Sequence, residues 1–196
     1  MSRSVLSCRV VPPGPAVASN WCIDLVEAHP DLFCPPQGVP AAAEGLPDCD
    51  RGWAFIIDTA CMRIRSALAK DGRPLRITRV REKAGTLRID WTGRLSARTE
   101  ERVGDIIDLA EACSACTCEL CGARGRLFRN GRILMTRCES HSSGVAAGDG
   151  AGIESMVVLH RISEGRQTIE SLRYDRRTDS FVSIDPALFG LRGDPK

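Results

Sequence analysis

The chain has 196 residues, of which 43% are hydrophobic and 27% charged, as in a globular protein with one full core. Its formal net charge of +2 does not indicate a nucleic-acid-binding protein, and it contains no apolar run long enough to span a bilayer. Ten cysteines without an export signal predict a cytoplasmic protein whose thiols bind metal rather than form disulfides.

The start of the chain predicts little regular structure. Residues 1–20 carry several prolines among small residues and are predicted to form an irregular leader. Asn20 can cap a short helix that begins at Trp21 and stops at His29-Pro30. A loop rich in Pro, Gly and Ala is predicted from Asp31 onward. Residues 21–50 contain six acidic residues and no basic ones, which indicates a solvated acidic surface.

The first long helix is predicted from Trp53 to Ala69. Apolar side chains recur there at helical spacing and would form one buried face, namely Trp53, Ile57, Ala60, Cys61, Ile64 and Leu68. Asp71-Gly72 ends the helix, since glycine readily takes the conformation that closes a helix.

Two strands, residues 75–81 and 86–91, are then predicted to form a hairpin through a loop at residues 82–85. Because side chains alternate across a strand, the basic ones gather on the face turned away from the core. This face is the predicted partner-binding surface, formed by Arg76, Arg79, Arg81, Lys83 and Arg88. A simple solvated sheet face is the alternative interpretation.

A second long helix follows, capped by Ser96 or Thr99 and buried through Val103, Ile106, Ile107 and Ala110. It ends near Cys113 and leads into the cysteine-rich segment.

That segment contains the pattern of cysteine and histidine residues from which a metal site is predicted. Cys118 and Cys121 form a C-x2-C pair, and Cys138 and His141 form a C-x2-H pair after sixteen intervening residues. Three thiolates and one imidazole complete the tetrahedral shell that Zn²⁺ adopts in closed structural sites. One structural zinc ion is therefore predicted. Between the pairs, Asn130-Gly131 predicts the turn of a zinc-ribbon-like β-hairpin.

Other thiols leave the ligand set open. Cys113 and Cys116 form a second C-x2-C pair, so either of them can replace a ligand of the first pair. Cys118 and Cys121 are preferred because Gly122 follows them and the hairpin begins directly afterwards. An iron–sulfur cluster is disfavoured by His141, and a disulfide or inert buried thiols remain the structural alternative.

The chain after His141 divides into a Gly/Ala linker at residues 144–153 and a β-rich extension at residues 154–196. Three strands in this extension predict a small antiparallel meander. With the α+β zinc-binding domain at residues 21–143, the expected fold class is α+β, with two main helices, a β-hairpin, a zinc-ribbon-like hairpin and the meander.

The order of the motifs adds a resemblance. Five of them follow one another in the chain: His29-Pro-x-Leu-Phe33, Gly52-Trp53, Arg81-Glu-Lys-x-Gly-Thr-Leu-Arg88, Cys118-x2-Cys121-Gly122 and Thr136-x-Cys138-x2-His141. Over residues 29–141 this series resembles a group of small, mostly uncharacterised bacterial and phage zinc-binding proteins. It departs from that group at Arg81, usually Lys, and at Ala84, usually Phe. The resemblance implies a zinc-bound architecture and a bacterial or prophage origin, and it supplies no catalytic residue.

Three classes of function follow from these residues. An enzyme, such as a small metal-dependent nuclease, is disfavoured because only His29 and His160 remain for acid–base work, and no catalytic residue is assigned. Nucleic-acid binding is the alternative, through five arginines between residues 124 and 137. The favoured prediction is a non-catalytic zinc-stabilised protein that binds a protein partner through charged surfaces, as an inhibitor, immunity or accessory protein. Neither a membrane nor a small-molecule cofactor is expected.

Overall fold

The structure is a computed structural model that describes residues 20–147, 156–163 and 166–184. Within these ranges the helices are α1 (Trp21–Ala28), α2 (Pro30–Phe33), α3 (Ala54–Asp71) and α4 (Ala97–Ser114). The strands are β1 (Leu75–Lys83), β2 (Thr86–Gly93), β3 (Arg126–Asn130), β4 (Ile133–Arg137), β5 (Val145–Ala146), β6 (Met156–Ser163), β7 (Arg166–Asp175) and β8 (Ser180–Ser183). The predicted α+β fold class is confirmed. The predicted leader up to residue 19 and residues 148–155 of the predicted linker lie outside the described residues.

Helix α1 begins where the capping signal places it. The side chain of Asn20 accepts a hydrogen bond of 3.2 Å from the backbone N–H of Cys22. The loop predicted from Asp31 is wrong at its start, because Pro30–Phe33 forms the helical turn α2. Proline fits the first turn of a helix, where its missing N–H is not needed, and the complete burial of Leu32 and Phe33 stabilises the turn.

Helix α3 supplies the centre of the core. Its fully buried side chains include Ile57, Cys61 and Ile64, as predicted. Leu68 is only half-buried, and Ile56 and Ala67 take up the remaining buried positions: Ile56, Ile57, Ala60, Cys61, Ile64 and Ala67 face the interior. The buried stripe is therefore wider than the predicted one, because α4 and α1 both pack against α3.

The buried thiol of Cys61 makes the stability of the folded chain depend on pH in the alkaline range. Burial, followed by the nearby Asp58 carboxylate, raises the pKa of the Cys61 thiol to about 12. The folded chain therefore keeps a proton that the unfolded chain loses above about pH 9. The stability that this thiol contributes is fully present below pH 9 and is lost as the pH rises toward 12, by about 3 to 4 kcal/mol.

We expect Cys61→Ala to flatten this alkaline loss of stability, at a cost of roughly 1 to 2 kcal/mol at neutral pH for the lost packing. Urea denaturation between pH 8 and about 11 measures the slope. Cys34→Ala, which removes an exposed thiol, is the control and should keep the wild-type slope. An unchanged slope in Cys61→Ala would show that other groups cause the alkaline loss.

Strands β1 and β2 form the predicted hairpin, but both are longer than predicted. They pair in antiparallel register from Leu75 opposite Gly93 to Lys83 opposite Thr86. The loop is only Ala84-Gly85, with φ of +54° and +84°. A bulge between Ile77 and Arg79 shifts the register and explains why the apolar residues of β1 alternate imperfectly in sequence.

Helix α4 packs between α3 and β2. Ser96 precedes its first residue, but the Ser96 hydroxyl donates to Thr99 Oγ1 at 3.0 Å rather than capping a backbone N–H. At the other end, the Ser114 hydroxyl accepts a buried hydrogen bond of 2.8 Å from the backbone N–H of Leu87 in β2. The end of α4, where the cysteine-rich segment begins, is thus tied to the β-hairpin.

The second sheet has the order β4-β3-β5. The predicted turn is displaced by one residue, because Asn130 already pairs with Ile133 and the loop is Gly131-Arg132. Gly131 takes a φ of +61°, which glycine adopts at little cost. The predicted linker is wrong at its start, because Val145 and Ala146 pair with β3 as strand β5.

The third sheet, β6-β7-β8, is the predicted antiparallel meander. Its β7–β8 turn contacts the helices: Arg63 of α3 forms an ion pair of 2.6 Å with Asp179. Leu172 and Tyr174 of β7 are buried. Throughout the described ranges, no helix combines the length and the apolar character needed to cross a bilayer.

Candidate metal centre

The four predicted ligands converge on one point. The Sγ atoms of Cys118, Cys121 and Cys138 and the nitrogen of His141 all lie within 4.8 Å of one another, close enough to bind a metal ion. Cys121 Sγ and Cys138 Sγ are 3.7 Å apart, and His141 Nδ1 is 3.3 Å from Cys138 Sγ and 3.7 Å from Cys118 Sγ. Zinc–sulfur bonds of about 2.3 Å and zinc–nitrogen bonds of about 2.0 Å give tetrahedral edges of roughly 3.5 to 3.8 Å. These three distances are close to the edges of a tetrahedral shell, and all four atoms lie close enough together to bind one metal ion.

The acidity of Cys118 distinguishes this one cluster thiol from the core cysteines. At Cys121 a hydrogen bond from the Ala123 backbone lowers the pKa, but desolvation and the neighbouring Cys118 and Cys138 thiols outweigh it, so the pKa of Cys121 is raised. Burial alone would raise the pKa of Cys118, but hydrogen bonds from the Cys138 and Cys121 backbones and from His141 lower it to about 6. This thiol is thus largely a thiolate at neutral pH, which is the form that binds metal. In contrast, burial raises the pKa of Cys49 and Cys61 to about 12, so both remain neutral.

The competing C-x2-C pair lies outside the cluster. Cys116 Sγ donates to the backbone carbonyl of Cys113 at 3.2 Å, while Cys113 Sγ lies 4.0 Å from Thr117 Oγ1. Burial also raises the pKa of Cys116, which disfavours its thiolate. The geometry favours Cys118 and Cys121 as the first ligand pair.

Comparison with known proteins adds nothing to this geometry. The chain matches no protein-family model, no curated protein and no solved structure. The resemblance to small bacterial and phage proteins stays a prediction, and the chemistry of the site rests on its own contacts.

The Gly52-Trp53 dipeptide supports the first ligand pair from behind. The Gly52 N–H donates to the Glu119 carbonyl at 2.6 Å, and Trp53 Nε1 donates to the Thr117 carbonyl at 2.8 Å. A Cβ on residue 52 would clash with the carbonyl oxygens of Cys118 and Glu119. Trp53 is fully buried, so the dipeptide fixes the ligand-bearing turn to the core.

The β1–β2 loop supports the β3–β4 hairpin in the same way. Thr136 Oγ1 of β4 donates to the Gly85 carbonyl at 2.6 Å, and both residues are buried. A Cβ on Gly85 would collide with Leu127 of β3. Glu82 in turn accepts the Gly85 N–H at 2.5 Å, which holds the loop in its left-handed conformation. The motif from Arg81 to Arg88 therefore contributes packing contacts as well as charge.

A buried ionic cluster next to the ligands was missed in sequence. Arg137 Nη1 lies 2.7 Å from a carboxylate oxygen of Glu119, and Arg137 Nη2 lies 3.5 Å from one of Asp50. The side chains of Arg137 and Glu119 are only 14% and 7% exposed. Arg137 precedes one ligand pair and Glu119 lies inside the other, so this ion pair joins both halves of the site. One indication of this ion pair was present in the sequence, namely the acidic residue Glu119 between the predicted ligands Cys118 and Cys121.

The predicted partner-binding residues are brought to one face of β1–β2. The register places Arg76, Arg79, Arg81 and Lys83 on the same side, opposite Thr92, Asp90, Arg88 and Thr86. Three of the five basic residues already have acidic partners: Arg76 pairs with Glu44, Arg81 with Asp90 and Arg88 with Glu111. Among the residues that the structure describes, no carboxylate lies within ion-pair distance of Arg79 or Lys83, and both are exposed. Uncompensated charge is thus concentrated at these two residues.

The structure gives His29 a structural role. It is 3% exposed, and its Nε2 lies 2.8 Å from the Asp58 carboxylate on α3. This contact ties the end of α1 to α3. His160 lies in β6, which pairs with β7.

Proposed function

We propose that the chain is a non-catalytic binding protein stabilised by one structural zinc ion. The observation that carries this proposal is the convergence of three thiols and one imidazole within 4.8 Å. Zinc is the metal that this donor set selects, and four protein ligands leave no open position for water or substrate. Elemental analysis of the purified chain should find one zinc per molecule.

The β1–β2 face is the proposed binding surface for an acidic protein partner. Arg79 and Lys83 are exposed and uncompensated, and they stand on a hairpin held rigidly by its contact with β4. Opposite charges on a partner would select this face and speed up the encounter. A rigid scaffold favours such binding because little conformational entropy is lost.

Nucleic-acid binding is the second candidate, and a different hairpin favours it. Arg124, Arg129 and Arg132 lie in and beside β3–β4 and are exposed. In the described part of the chain, none of the three has a carboxylate within ion-pair distance. Arginines on a metal-braced hairpin are well suited to phosphate groups.

Two matched charge reversals separate these candidates. We expect Arg79→Glu/Lys83→Glu to reduce capture of the protein partner roughly tenfold or more, while Arg129→Glu/Arg132→Glu leaves capture unchanged. Both double variants make the same charge change on exposed residues, so both should keep the thermal stability and zinc content of the wild type. Affinity purification with quantitative mass spectrometry measures capture, and fluorescence anisotropy with a labelled DNA duplex measures nucleic-acid binding.

The opposite pattern would decide for nucleic acid. Loss of duplex binding in Arg129→Glu/Arg132→Glu, with no effect of the β1–β2 reversal, would contradict the protein-partner proposal. The proposal places the protein in the cytoplasm, where thiols stay reduced. It also assigns a bacterial or phage origin and an inhibitor, immunity or accessory role, which the neighbouring genes would test.

A further inference from the structure

A cavity of about 480 Å³ lies between α3, α4 and the turn that joins β7 to β8. Its walls are largely apolar and include Ile56 and Ala60 of α3 and Ile106, Leu109 and Ala110 of α4. Small-molecule sites in proteins are concave and mostly apolar, with volumes of roughly 300 to 1,000 Å³. The cavity has the size and lining of such a site.

The cavity opens to solvent beside Phe55. This side chain is 77% exposed although it belongs to the lining of the cavity. The apolar wall therefore continues onto the surface, and a bound molecule would cover the ring together with the interior. Removing this apolar area from water would contribute to binding.

At the end of the cavity near the β7–β8 turn, the positive and negative charges of the lining residues do not balance. Asp179 is neutralised locally, because it pairs with Arg63 at 2.6 Å and accepts a hydrogen bond of 2.8 Å from the Tyr174 hydroxyl. Within the described ranges Arg176 donates only to backbone carbonyls, those of Cys116 at 2.8 Å and Gly122 at 3.5 Å. No carboxylate of the described residues lies within ion-pair distance of Arg176. The charged lining residues Arg63, Arg176 and Asp179 therefore leave one positive charge for a ligand to balance.

We propose that this cavity binds a small molecule with an apolar body and one anionic end group, of the medium-chain carboxylate class. The apolar body lies between α3 and α4, and the anionic group lies at the Arg176 end. This site is separate from the Arg79 and Lys83 surface, so it does not depend on partner binding at that surface.

The test uses the full-length, zinc-loaded chain and the fluorescent dye anilinonaphthalene sulfonate, which has an apolar body and one anionic group. We expect saturable binding of one dye per chain. Octanoate should displace the dye at a roughly tenfold lower concentration than octanol, because only octanoate carries the charge that Arg176 attracts. Unsaturable dye binding, or displacement by octylamine as effective as that by octanoate, would overturn the proposal.

Variants locate the site. Leu109→Phe fills the cavity and should weaken dye binding at least about tenfold, whereas Ile107→Phe, a half-buried position of the same helix outside the lining, should not. Arg176→Gln changes an exposed residue and should remove the preference for octanoate over octanol while octanol binding stays the same. Equal dye binding by both phenylalanine variants, or an unchanged preference in Arg176→Gln, would refute the assignment.

One further variant addresses a competing occupant. A chain that stops after Ile184 lacks residues 185–196, which include the apolar sequence Ala-Leu-Phe-Gly-Leu. We expect this chain to bind the dye as the full chain does. Markedly tighter dye binding by the shortened chain would mean that its own terminal segment fills the cavity, and the small-molecule proposal would fall.

Discussion

Cys121→Ser should bind zinc several hundredfold more weakly than the wild type and should lose much of its folded signal. Structural zinc sites contribute about 10 to 16 kcal/mol of apparent binding free energy, most of which is also folding free energy. An equal share for each of four ligands makes the loss of one cost about 3 to 4 kcal/mol, or a few hundredfold in affinity. Competition with a chromogenic chelator measures the affinity, and circular dichroism measures the fold.

Cys116→Ser is the matched control for this experiment. Cys116 lies only two residues before Cys118, yet its Sγ donates to a backbone carbonyl outside the cluster. We expect Cys116→Ser to keep one zinc and nearly wild-type stability. Zinc loss in Cys116→Ser with retention in Cys121→Ser would show that the ligand register is displaced toward Cys113 and Cys116. A metal-free chain that is fully folded would remove the zinc proposal altogether.

The convergence of the four cysteine and histidine side chains was predictable because it depends on local sequence. Two residues between ligands place both side chains on one side of a tight turn, so spacing alone pairs Cys118 with Cys121 and Cys138 with His141. The hairpin between them brings the pairs together, and an error of one residue in its turn does not change that outcome. The long helices were equally predictable, since the apolar residues on the core face of α3 recur at helical spacing.

Contacts between distant segments were not predictable from one sequence. No local pattern shows that Gly52 contacts the turn of the first ligand pair or that Gly85 contacts strands β3 and β4, because each glycine is required by a neighbour far along the chain. The same holds for Phe33 in α2, whose helical turn depends on burial rather than on propensity. Strand β5 escaped detection because two residues carry no period.

The sequence predicted which basic side chains share one face of the β1–β2 hairpin, but not which of them have acidic partners. Alternation placed Arg79 and Arg81 on one face, but it could not show that Asp90 lies within ion-pair distance of Arg81. Ion pairs formed across segments therefore reduce a surface that counts five basic residues in sequence to two uncompensated charges. Arg137 was counted among the five arginines at residues 124–137 that suggested nucleic-acid binding, but its guanidinium pairs with Glu119 and Asp50 beside the metal ligands.

This position beside the metal ligands makes Arg137 the non-ligand residue with the largest expected effect. A zinc ion bound by the three thiolates and one imidazole would have a net charge of about −1, and the buried Glu119 carboxylate would add another negative charge beside it. The Arg137 guanidinium offsets this charge and joins the two ligand pairs. Removing one member of a buried ion pair typically costs about 3 to 5 kcal/mol, because the remaining charge is left uncompensated.

We therefore expect Arg137→Met to destabilise the zinc-loaded chain by about 3 to 5 kcal/mol and to weaken zinc binding, although Arg137 is no ligand. The double variant Glu119→Gln/Arg137→Met should recover more than half of the lost stability, because it removes the stranded carboxylate as well. Urea denaturation of the zinc-loaded variants and chelator competition measure the two effects.

Arg65→Met serves as the control, because Arg65 pairs with Asp31 at 3.0 Å through side chains that are 48% and 52% exposed. Solvent screens such a pair, so its loss should cost less than about 1 kcal/mol. If Arg137→Met lowers the free energy of unfolding no more than Arg65→Met does, the Arg137–Glu119 pair contributes no more to stability than an exposed ion pair. If the double variant is less stable than Arg137→Met, the stranded charge is not the cause of the loss, and Arg137 acts through packing of its aliphatic stem instead.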